Sequence, residues 1–318
     1  MAAYTPVTPG DFRPLAATLG LELAGELTAV AEGVENTTYF FRAIRNGGAG
    51  GYVLTLVETA DAQQIDFAAR LATHLHQCRL PVPAPLAAGS GERIHRLAGK
   101  PALVFDRIAG RHPDPVENEH CAAIGDFLAR AHLAAADWPA TLDNRRGLGW
   151  MMAAAEGVEK LLGAGDRALL AGQLSRYRQL LAERPALPRG AIHGDLFHDN
   201  SLFADGRLAA VIDFYNASSD WLLLDVAVAV NDWCRGEAGA IAADRFAALV
   251  GAYRQVRPFS AAEIHHWPEV LAIAATRFWL SRLLAAGGHG GHKDPGEYRA
   301  KLLDLRQGAP ALPGALLS

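Results

Sequence analysis

The sequence predicts an α+β chain in two lobes: a small antiparallel β-sheet lobe with one helix, then a larger, mainly helical lobe. Segments rich in β-branched and aromatic residues, separated by Gly-rich turns, fill the first third of the chain. From residue 115 onward, apolar residues recur at three- and four-residue spacing instead. The composition changes near residues 105–111. We place a hinge there, between lobes at residues 1–104 and 112–318.

The first lobe is predicted to contain strands and a single helix. Its strand-like segments cover residues 27–31, 38–44, 52–57 and 102–108. The Gly-rich residues 46–51 predict a turn between the second and third of these strands. A helix is predicted over residues 62–78, because Phe67, Leu71 and Leu75 form one apolar stripe.

The second lobe is predicted to be helical around one polar loop. Ile124, Phe127 and Leu128 share one face of its first helix. Further helices are predicted at residues 169–181, 225–233, 245–253 and 270–284.

Composition excludes several classes of function. The 318 residues are 50% hydrophobic and 20% charged, as in an ordinary globular protein, and the net charge of −4 gives no nucleic-acid footprint. No apolar run reaches the ~18 residues of a membrane span, and the N-terminus has no signal-peptide pattern. The three cysteines, Cys78, Cys121 and Cys234, are widely spaced, which fits a reducing cytosol. We expect a cytoplasmic protein.

The chemistry is concentrated in two segments. Residues 193–200 read His-Gly-Asp-Leu-Phe-His-Asp-Asn, and residues 211–214 read Val-Ile-Asp-Phe. Kinase-type folds use this arrangement to place a base, a metal-binding amide and a metal-binding carboxylate around a nucleoside triphosphate. Asp195 is the candidate catalytic base, and Asn200 and Asp213 are the candidate Mg²⁺ ligands.

A polar loop can also be an ordinary turn whose Asp and Asn side chains bond their own backbone. The surroundings favour an active site, because apolar residues flank the loop on both sides. Asp213 is moreover expected inside a buried strand at residues 209–214, where a carboxylate is costly unless it is paired or metal-bound.

The chain resembles the aminoglycoside-phosphotransferase branch of the kinase-like superfamily, and within it the bacterial homoserine kinases. The resemblance runs from about residue 4 to residue 305. The segments that carry it are residues 33–40, 52–58, 80–85, 193–202, 212–215, 230–234, 276–283 and 293–295.

The resemblance implies a bilobal protein-kinase-like fold and Mg²⁺- and ATP-dependent phosphorylation of the side-chain hydroxyl of L-homoserine, a step toward threonine. It implies that a loop of Glu35, Asn36 and Thr37 covers the phosphates of ATP. It further implies that the backbone near Phe105 and Arg107 meets the adenine.

Four positions depart from the wider kinase pattern. The phosphate loop has only Gly33 in place of repeated glycines, and Tyr215 stands where regulated protein kinases have Gly. Thr55 occupies the ATP-site position expected for a phosphate-pairing Lys, and Gln64 is the candidate for its usual Glu partner. Because the Lys and the Glu are both absent, no buried charge is left without its partner.

Homoserine is a zwitterion, so its site needs partners for a carboxylate and an ammonium. Arg277 and Arg282 are candidates for the carboxylate, since a guanidinium binds it bidentately. The alternative is that they pair with internal acidic residues or reach solvent. Asp225 and Asp232 are candidates for the ammonium, with a helix cap or a brace for the catalytic loop as the alternative.

Other interpretations remain open. His198 either contacts phosphate or braces the loop, and the His and Gly residues at 289–292 read as a loop rather than a metal site. Choline, a thio-sugar or an aminoglycoside are alternative substrates, and the Lys-less Thr55 position would suit a nucleotide-binding pseudokinase. The expected partners are ATP and L-homoserine, with no nucleic acid and no membrane. A homodimer through the helical lobe stays open.

Overall fold

The computed structural model describes residues 5–30, 36–287 and 294–313. The chain divides into two units. The first comprises the described residues up to Arg111 together with residues 202–204 and 209–216, and the second comprises the rest.

The first unit contains an antiparallel sheet and two helices. Its strands are β1 (Glu22–Leu23), β2 (Thr28–Ala29), β3 (Thr37–Arg45), β4 (Gly48–Leu56), β5 (His95–Leu97) and β6 (Lys100–Asp106). The strand order is β1-β3-β4-β6-β5, and β2 also pairs with β3. Its helices are α1 (Pro9–Thr18) and α2 (Ala62–Gln77). The predicted sheet and the predicted helix over residues 62–78 are confirmed.

The expectation of one helix in this lobe is wrong, because α1 covers one face of the sheet. Thr8 accepts a hydrogen bond from the Asp11 N–H, and the Asp11 carboxylate accepts one from the Thr8 N–H, which forms a capping box. Two residues of this helix, Phe12 and Ala16, are fully buried. They pack in one core cluster with Phe41 and its neighbours on the sheet. The capping box was the readable signal for this helix.

The predicted Gly-rich turn at residues 46–51 is too long. Only Asn46 and Gly47 turn, both with positive φ (52° and 78°), which suits a two-residue hairpin loop. The glycines that follow belong to β4, where Gly50 pairs with Ala43. A side chain at Gly50 would crowd the Tyr52 ring, so a small residue keeps the strand regular there.

The other face of the sheet packs on α2. Ile65 and Ala69 of that helix form a buried cluster with Val57 and Leu103, and Tyr215 packs against its edge. The segment that follows the predicted metal-binding Asp is therefore tied to the helix of this unit.

The second unit is mainly helical, as predicted. Its helices are α3 (Asn118–Ala134), α4 (Leu148–Val158), α5 (Ala164–Glu183), α6 (Leu222–Trp233), α7 (Ala243–Val256), α8 (Ala261–Gly287) and α9 (Gly296–Leu305). Each of the four helical ranges predicted beyond residue 160 lies inside one of α5 to α8. A short antiparallel pair in this unit joins β7 (Arg189–Ile192) with β10 (Ser218–Trp221). A second short pair joins β8 (Ser201–Ala204) with β9 (Arg207–Val211), and most of its residues belong to the first unit.

Helix α6 forms the centre of this unit. Every one of its residues is buried, and it packs against α8. Helices α3 and α7 also pack closely, at Gly125: a Cβ at this position would overlap with the carbonyl oxygen of Leu249. The absence of a side chain at Gly125 therefore sets the distance between these two helices.

We predict that Gly125→Ala lowers the thermal unfolding midpoint, because the added methyl forces α3 away from α7 at a cost of about 1–3 kcal/mol. The matched control is Gly172→Ala in the exposed middle of α5, where a Cβ meets nothing within 4 Å. That control should raise the midpoint, since Ala is favoured over Gly inside a helix by about 0.5–1 kcal/mol. Equal midpoints for the two variants would contradict the close approach.

Candidate active site

The loop at residues 193–200 begins directly after β7. Gly194 has a φ of +75°, a conformation that favours glycine, and Asp195 follows it with a half-buried side chain. The Asp195 main chain is held from both sides. Its N–H donates to His193 Nδ1 at 3.2 Å, and its carbonyl accepts from Asn200 Nδ2 at 2.8 Å. A hydrogen bond thus links the side chain of Asn200, a candidate metal ligand, to the main chain of Asp195, the candidate base.

Asp225 is the anchor of this loop. Its side chain is buried in α6, and its two oxygens accept the backbone N–H groups of His193, at 2.8 Å, and Gly194, at 2.7 Å. Burial alone would raise the pKa of Asp225. The hydrogen bond and charge of His132 and the bond from Gly194 outweigh it, so that the pKa is lowered. Of the two interpretations of Asp225, the structure supports the loop brace.

The brace continues through a buried chain of polar groups. His132 Nε2 lies 3.2 Å from Asp225, and its Nδ1 lies 2.8 Å from the Tyr253 hydroxyl. Because an ionised Asp225 only accepts, the proton on this edge of the imidazole sits on Nε2. Arg257 donates to the Tyr253 hydroxyl at 3.0 Å and pairs with Glu263 at 2.9 Å. Asp225, His132, Tyr253, Arg257 and Glu263 are thus linked one to the next by hydrogen bonds.

Asp232 holds the other end of the loop. Its buried carboxylate accepts the His198 N–H at 2.8 Å and His198 Nδ1 at 2.7 Å, and Arg235 binds its second oxygen at 2.6 Å. Burial would raise the pKa of Asp232, but the bonds and charges of His198 and Arg235 lower it to about 2. The hydrogen bond to Asp232 raises the pKa of His198 in turn. With both oxygens engaged, Asp232 suits the role of a brace better than that of an ammonium partner.

Arg277 reaches the loop from α8. It is buried, and its Nη1 donates to the carbonyl of Gly194 at 2.5 Å. Its guanidinium lies 4.6 Å from the centre of the Phe278 ring. Burial lowers the pKa of Arg277, and the negative charge of Asp195 opposes that effect. Arg277 and Asp195 are thus close enough for their opposite charges to attract each other.

Arg282 is engaged elsewhere. It pairs with Glu297 at 2.5 Å, donates to the carbonyl of Asp294 at 3.0 Å and lies over the Tyr298 ring. Glu297 also lies 3.5 Å from the buried ammonium of Lys301. For Arg282 the structure therefore supports the alternative of an internal ion pair.

The predicted surroundings of Asp213 are wrong. Strand β9 ends at Val211, so Asp213 lies beyond the strand, exposed, with a φ of +65°. The desolvation argument made for a buried carboxylate does not apply to it. A left-handed conformation at a residue other than Gly costs about 1–3 kcal/mol and is typical of functional sites.

Three candidate nucleotide residues, Thr55, Phe105 and Arg107, lie on the α2-facing side of the first unit's sheet. Phe40, Val53 and Phe105 are register partners across three strands and are all partly exposed. The guanidinium of Arg107 lies 3.9 Å from the centre of the Phe40 ring. Thr55, two residues along β4 from Val53, is buried. This row presents a flat apolar surface with a cation at its edge.

The phosphate-loop candidates have structural partners. Asn36 Oδ1 accepts the Glu58 N–H at 3.2 Å, and the buried Thr37 hydroxyl donates to the Glu58 carboxylate at 2.7 Å. Lys100 binds the same carboxylate at 2.9 Å. Glu35 lies outside the described residues, as do residues 289–292.

The suggested substitute for the kinase Glu is also engaged locally. Gln64 completes the capping box of α2, where its side-chain oxygen accepts the Asp61 N–H at 3.2 Å. The capping box therefore accounts for Gln64 without a contact to Thr55.

The structure adds residues that the sequence did not single out. His132 and Tyr253 complete the polar chain behind the loop, although they are far from it in sequence. One signal was readable: Asp225 stands in an otherwise apolar helix, and a buried carboxylate requires partners. Within the described residues, no group of three or more His, Cys, Asp or Glu is arranged to hold a metal ion.

Comparison with known proteins decides the family. A sequence model of the phosphotransferase enzyme family matches residues 26–259. The chain belongs to the phosphotransferase enzyme family. The homoserine kinase of Pseudomonas aeruginosa is 40% identical over 320 residues, spanning 99% of this chain and 100% of the relative. The homoserine kinase of Methylobacillus flagellatus is 42% identical over 258 residues, spanning 81% and 79%.

Solved structures of this phosphotransferase group share the fold. An amicoumacin kinase gives a TM-score of 0.68 at 16% identity, over 93% of each chain. A microcompartment-associated aminopropanol kinase gives 0.66 at 20% identity, over 93% of this chain and 94% of its own. The predicted protein-kinase-like α+β fold and the predicted resemblance are confirmed. The protein is a kinase that uses ATP and a small-molecule substrate.

No described helix is both long and apolar enough to cross a membrane.

The His198–Asp232 pair predicts a pH-dependent stability. Because the folded pKa of His198 is raised above its unfolded value of about 6.5, the charged pair stabilises fully below that value. The contribution is lost as the pH rises through the raised pKa. His198→Asn keeps a hydrogen-bond donor but removes the charge. We expect it to reduce the free energy of unfolding more at about pH 5.5 than at about pH 9.

Urea unfolding of wild type and variant at both pH values measures this difference. A pH-independent difference would show that His198 is held as a neutral imidazole.

Proposed function

We propose that this protein transfers the γ-phosphoryl group of ATP to the side-chain hydroxyl of L-homoserine, giving O-phospho-L-homoserine on the route to threonine. The observation that carries the proposal is 40% identity to a homoserine kinase over essentially the whole of both chains. The fixed loop around Asp195 supports it independently, because it presents a carboxylate on a rigid backbone.

In the proposed reaction Asp195 is the general base. The hydroxyl oxygen of homoserine forms a bond to the γ-phosphorus, the bond to the β,γ-bridging oxygen breaks, and ADP leaves with that electron pair. The hydroxyl proton passes to the Asp195 carboxylate. Catalysis of this kind depends mainly on positioning, which the braces of the loop provide.

We propose Asn200 and Asp213 as the ligands of Mg²⁺. The donor chemistry fits, since amide and carboxylate oxygens are ligands that Mg²⁺ accepts. The side-chain NH₂ group of Asn200 donates a hydrogen bond to the Asp195 carbonyl. Its Oδ1 is therefore the atom that would coordinate the cation. When bound, Mg²⁺ neutralises charge that develops on the phosphate oxygens.

The adenine is assigned to the row of Phe40, Val53 and Phe105, whose half-exposed apolar surface suits a flat heterocycle. Arg107 lies at the edge of the row and supplies a cation for the nucleotide. Asn36 and Thr37 are proposed to anchor the end of the phosphate loop, with Glu35 inside it. Their bonds to the strand-end Glu58 support an anchoring role.

Two substrate assignments change in this proposal. Asp232 becomes a positioning residue, because both of its oxygens are used by the loop and by Arg235. Arg282 becomes a structural ion-pair partner of Glu297. Arg277 remains a substrate candidate, because it lies against the loop that carries Asp195.

An ADP-release assay with Mg²⁺-ATP tests the substrate. The panel is L-homoserine, L-serine, L-threonine, choline and one aminoglycoside. We predict a clear preference for L-homoserine. Preferred turnover of another alcohol would discard the substrate and keep the loop chemistry. No turnover of any would favour a nucleotide-binding protein without catalysis, as the Thr55 position would allow.

We predict that Asp195→Asn lowers kcat by about 10²- to 10⁴-fold, the usual contribution of a general base, and leaves the affinity for Mg²⁺-ATP within about threefold. The matched control is Asp205→Asn, an exposed turn residue with a φ of +49°, a conformation that Asn tolerates. The control should retain the wild-type kcat. Wild-type turnover by Asp195→Asn would remove Asp195 from the role of base.

A further inference from the structure

A third arginine, Arg146, lies in a segment that is hydrogen-bonded to β10, the partner of the strand that enters the catalytic loop. Leu142 accepts the backbone N–H of Ser219 in β10 at 2.6 Å, and Asn144 Nδ2 donates to Asp220 at 2.7 Å. Strand β10 pairs with β7, which ends where the catalytic loop begins. Asn144 Oδ1 then accepts the N–H of Arg146 at 2.8 Å. The backbone that carries Arg146 is thus fixed to the same small sheet as the loop.

The guanidinium of Arg146 has no anionic partner. It is half-buried and lies 4.7 Å from the centre of the Trp150 ring. Within residues 5–30, 36–287 and 294–313, no carboxylate or carbonyl accepts a hydrogen bond from it. Stacking on an aromatic face is favourable for Arg, but it leaves the donors in the plane of the guanidinium unused. Those donors are arranged to bind a planar anion.

Arg277 has an unused donor as well. It is 4% exposed, and its Nε finds no hydrogen-bond partner among the described residues, while Nη1 is bonded to Gly194. A buried guanidinium with an unmet donor is costly, so a ligand that accepts from it is favoured. After burial itself, the positive charge of Arg146 is a further cause that lowers the pKa of Arg277. An anion bound by both guanidinium groups would offset this repulsion.

We propose that Arg146 and Arg277 together bind the carboxylate of the amino-acid substrate, and that Arg146 is a residue that determines specificity. This inference rests on the proposed function, since it names the part of L-homoserine that the pair recognises. Arg277 donates to the carbonyl of Gly194, the residue before Asp195. A substrate whose carboxylate is bound by Arg277 can therefore present its hydroxyl group to Asp195. Amino alcohols without a carboxylate gain nothing from the pair.

The other cationic cluster of this unit does not compete for this role. Arg235, Arg282 and Lys301 converge on Glu297, and Asp232 binds Arg235 as well. The acidic side chains there already occupy those cations. The guanidinium of Arg146 has no such carboxylate.

The test compares L-homoserine with 3-aminopropan-1-ol, which is the same amino alcohol without its carboxylate. In Arg146→Met we expect the KM for L-homoserine to rise on the order of 10- to 100-fold, the effect of losing charged hydrogen bonds. The kcat at saturation and the KM for ATP should change less than about threefold. The kcat/KM for 3-aminopropan-1-ol should stay at the wild-type value, so that the preference for the amino acid falls by the same factor.

Two further variants sharpen the result. Arg145→Met removes the same charge from the exposed neighbouring position and should keep the wild-type preference. Arg146→Lys keeps the charge without the fork and should give an intermediate loss. Calorimetric titration of L-homoserine into each protein, with a non-hydrolysable ATP analogue present, measures the same loss of affinity without turnover. Equal thermal midpoints show that the variants are folded.

The outcomes separate the two proposals. If wild type phosphorylates L-homoserine and Arg146→Met keeps its preference over 3-aminopropan-1-ol, the carboxylate assignment fails and the proposed function stands. If wild type does not phosphorylate L-homoserine, the proposed function fails, and the assignment fails with it.

Discussion

The candidate site depends on one interaction, the pair of hydrogen bonds that the catalytic loop donates to the buried carboxylate of Asp225. Two consecutive backbone N–H groups, of His193 and Gly194, donate to its two oxygens. These donors have no strand or helix partner at the point where the chain leaves β7, and a buried N–H without a partner is costly. Asp225 satisfies both donors. In doing so it joins the loop to α6, whose residues are all buried.

The spacing along α6 explains why the loop is held at two points. Asp225 and Asp232 are seven residues apart, about two helical turns or 10.5 Å, and therefore lie on the same face of the helix. One binds the start of the loop, and the other binds His198, just before Asn200. Trp233 adds a third bond from the same helix, to the carbonyl of Leu196 at 3.0 Å. Asp195 sits between these fixed points, so its position follows from the rigidity of one helix.

The two carboxylates that brace the loop, Asp225 and Asp232, are both stabilised in their ionised form by their hydrogen-bond donors. Each buried carboxylate has a lowered pKa, because its donors outweigh the cost of burial. Asp225 is bonded to His132, whose other ring nitrogen lies against the Tyr253 hydroxyl, while Asp232 is paired with Arg235. The Nε of Arg235 makes no hydrogen bond but lies 3.2 Å from the Glu297 carboxylate, whereas the Nε of Arg277 has no hydrogen-bond partner and no ion pair among the described residues. This difference supports the proposal that Arg277 binds a ligand whereas the brace residues hold the loop.

The sequence predicted much of the fold, because its signals were local. The apolar stripe of α2 and the two-lobed change in periodicity each needed only a short window. The loop at residues 193–200 was found by its motif. Helix α1 was missed because its capping box lies among prolines, and residues 46–51 were misread because glycines in a strand resemble a turn.

The rest of the site could not be read from the sequence, because it depends on contacts between residues distant in the chain. The partner of Asp225 lies 93 residues away, at His132. The conformation of Asp213 depends on where β9 ends, and strand ends are set by pairing rather than by composition. For Asp232 and for Arg282 the sequence leaves two interpretations open, and only the bonds in the structure favour one of them.

The measurement that tests this account most directly is the steady-state kinetics of Asp225→Asn, made below its unfolding midpoint. An Asn keeps one acceptor oxygen but points an NH₂ group at the second backbone N–H, so the loop loses one of its two anchors. The account predicts a fall in kcat on the order of 100-fold, as expected for a misplaced catalytic group, with the KM for ATP within about threefold. A folded Asp225→Asn variant with the wild-type kcat would contradict the claim that this carboxylate positions Asp195.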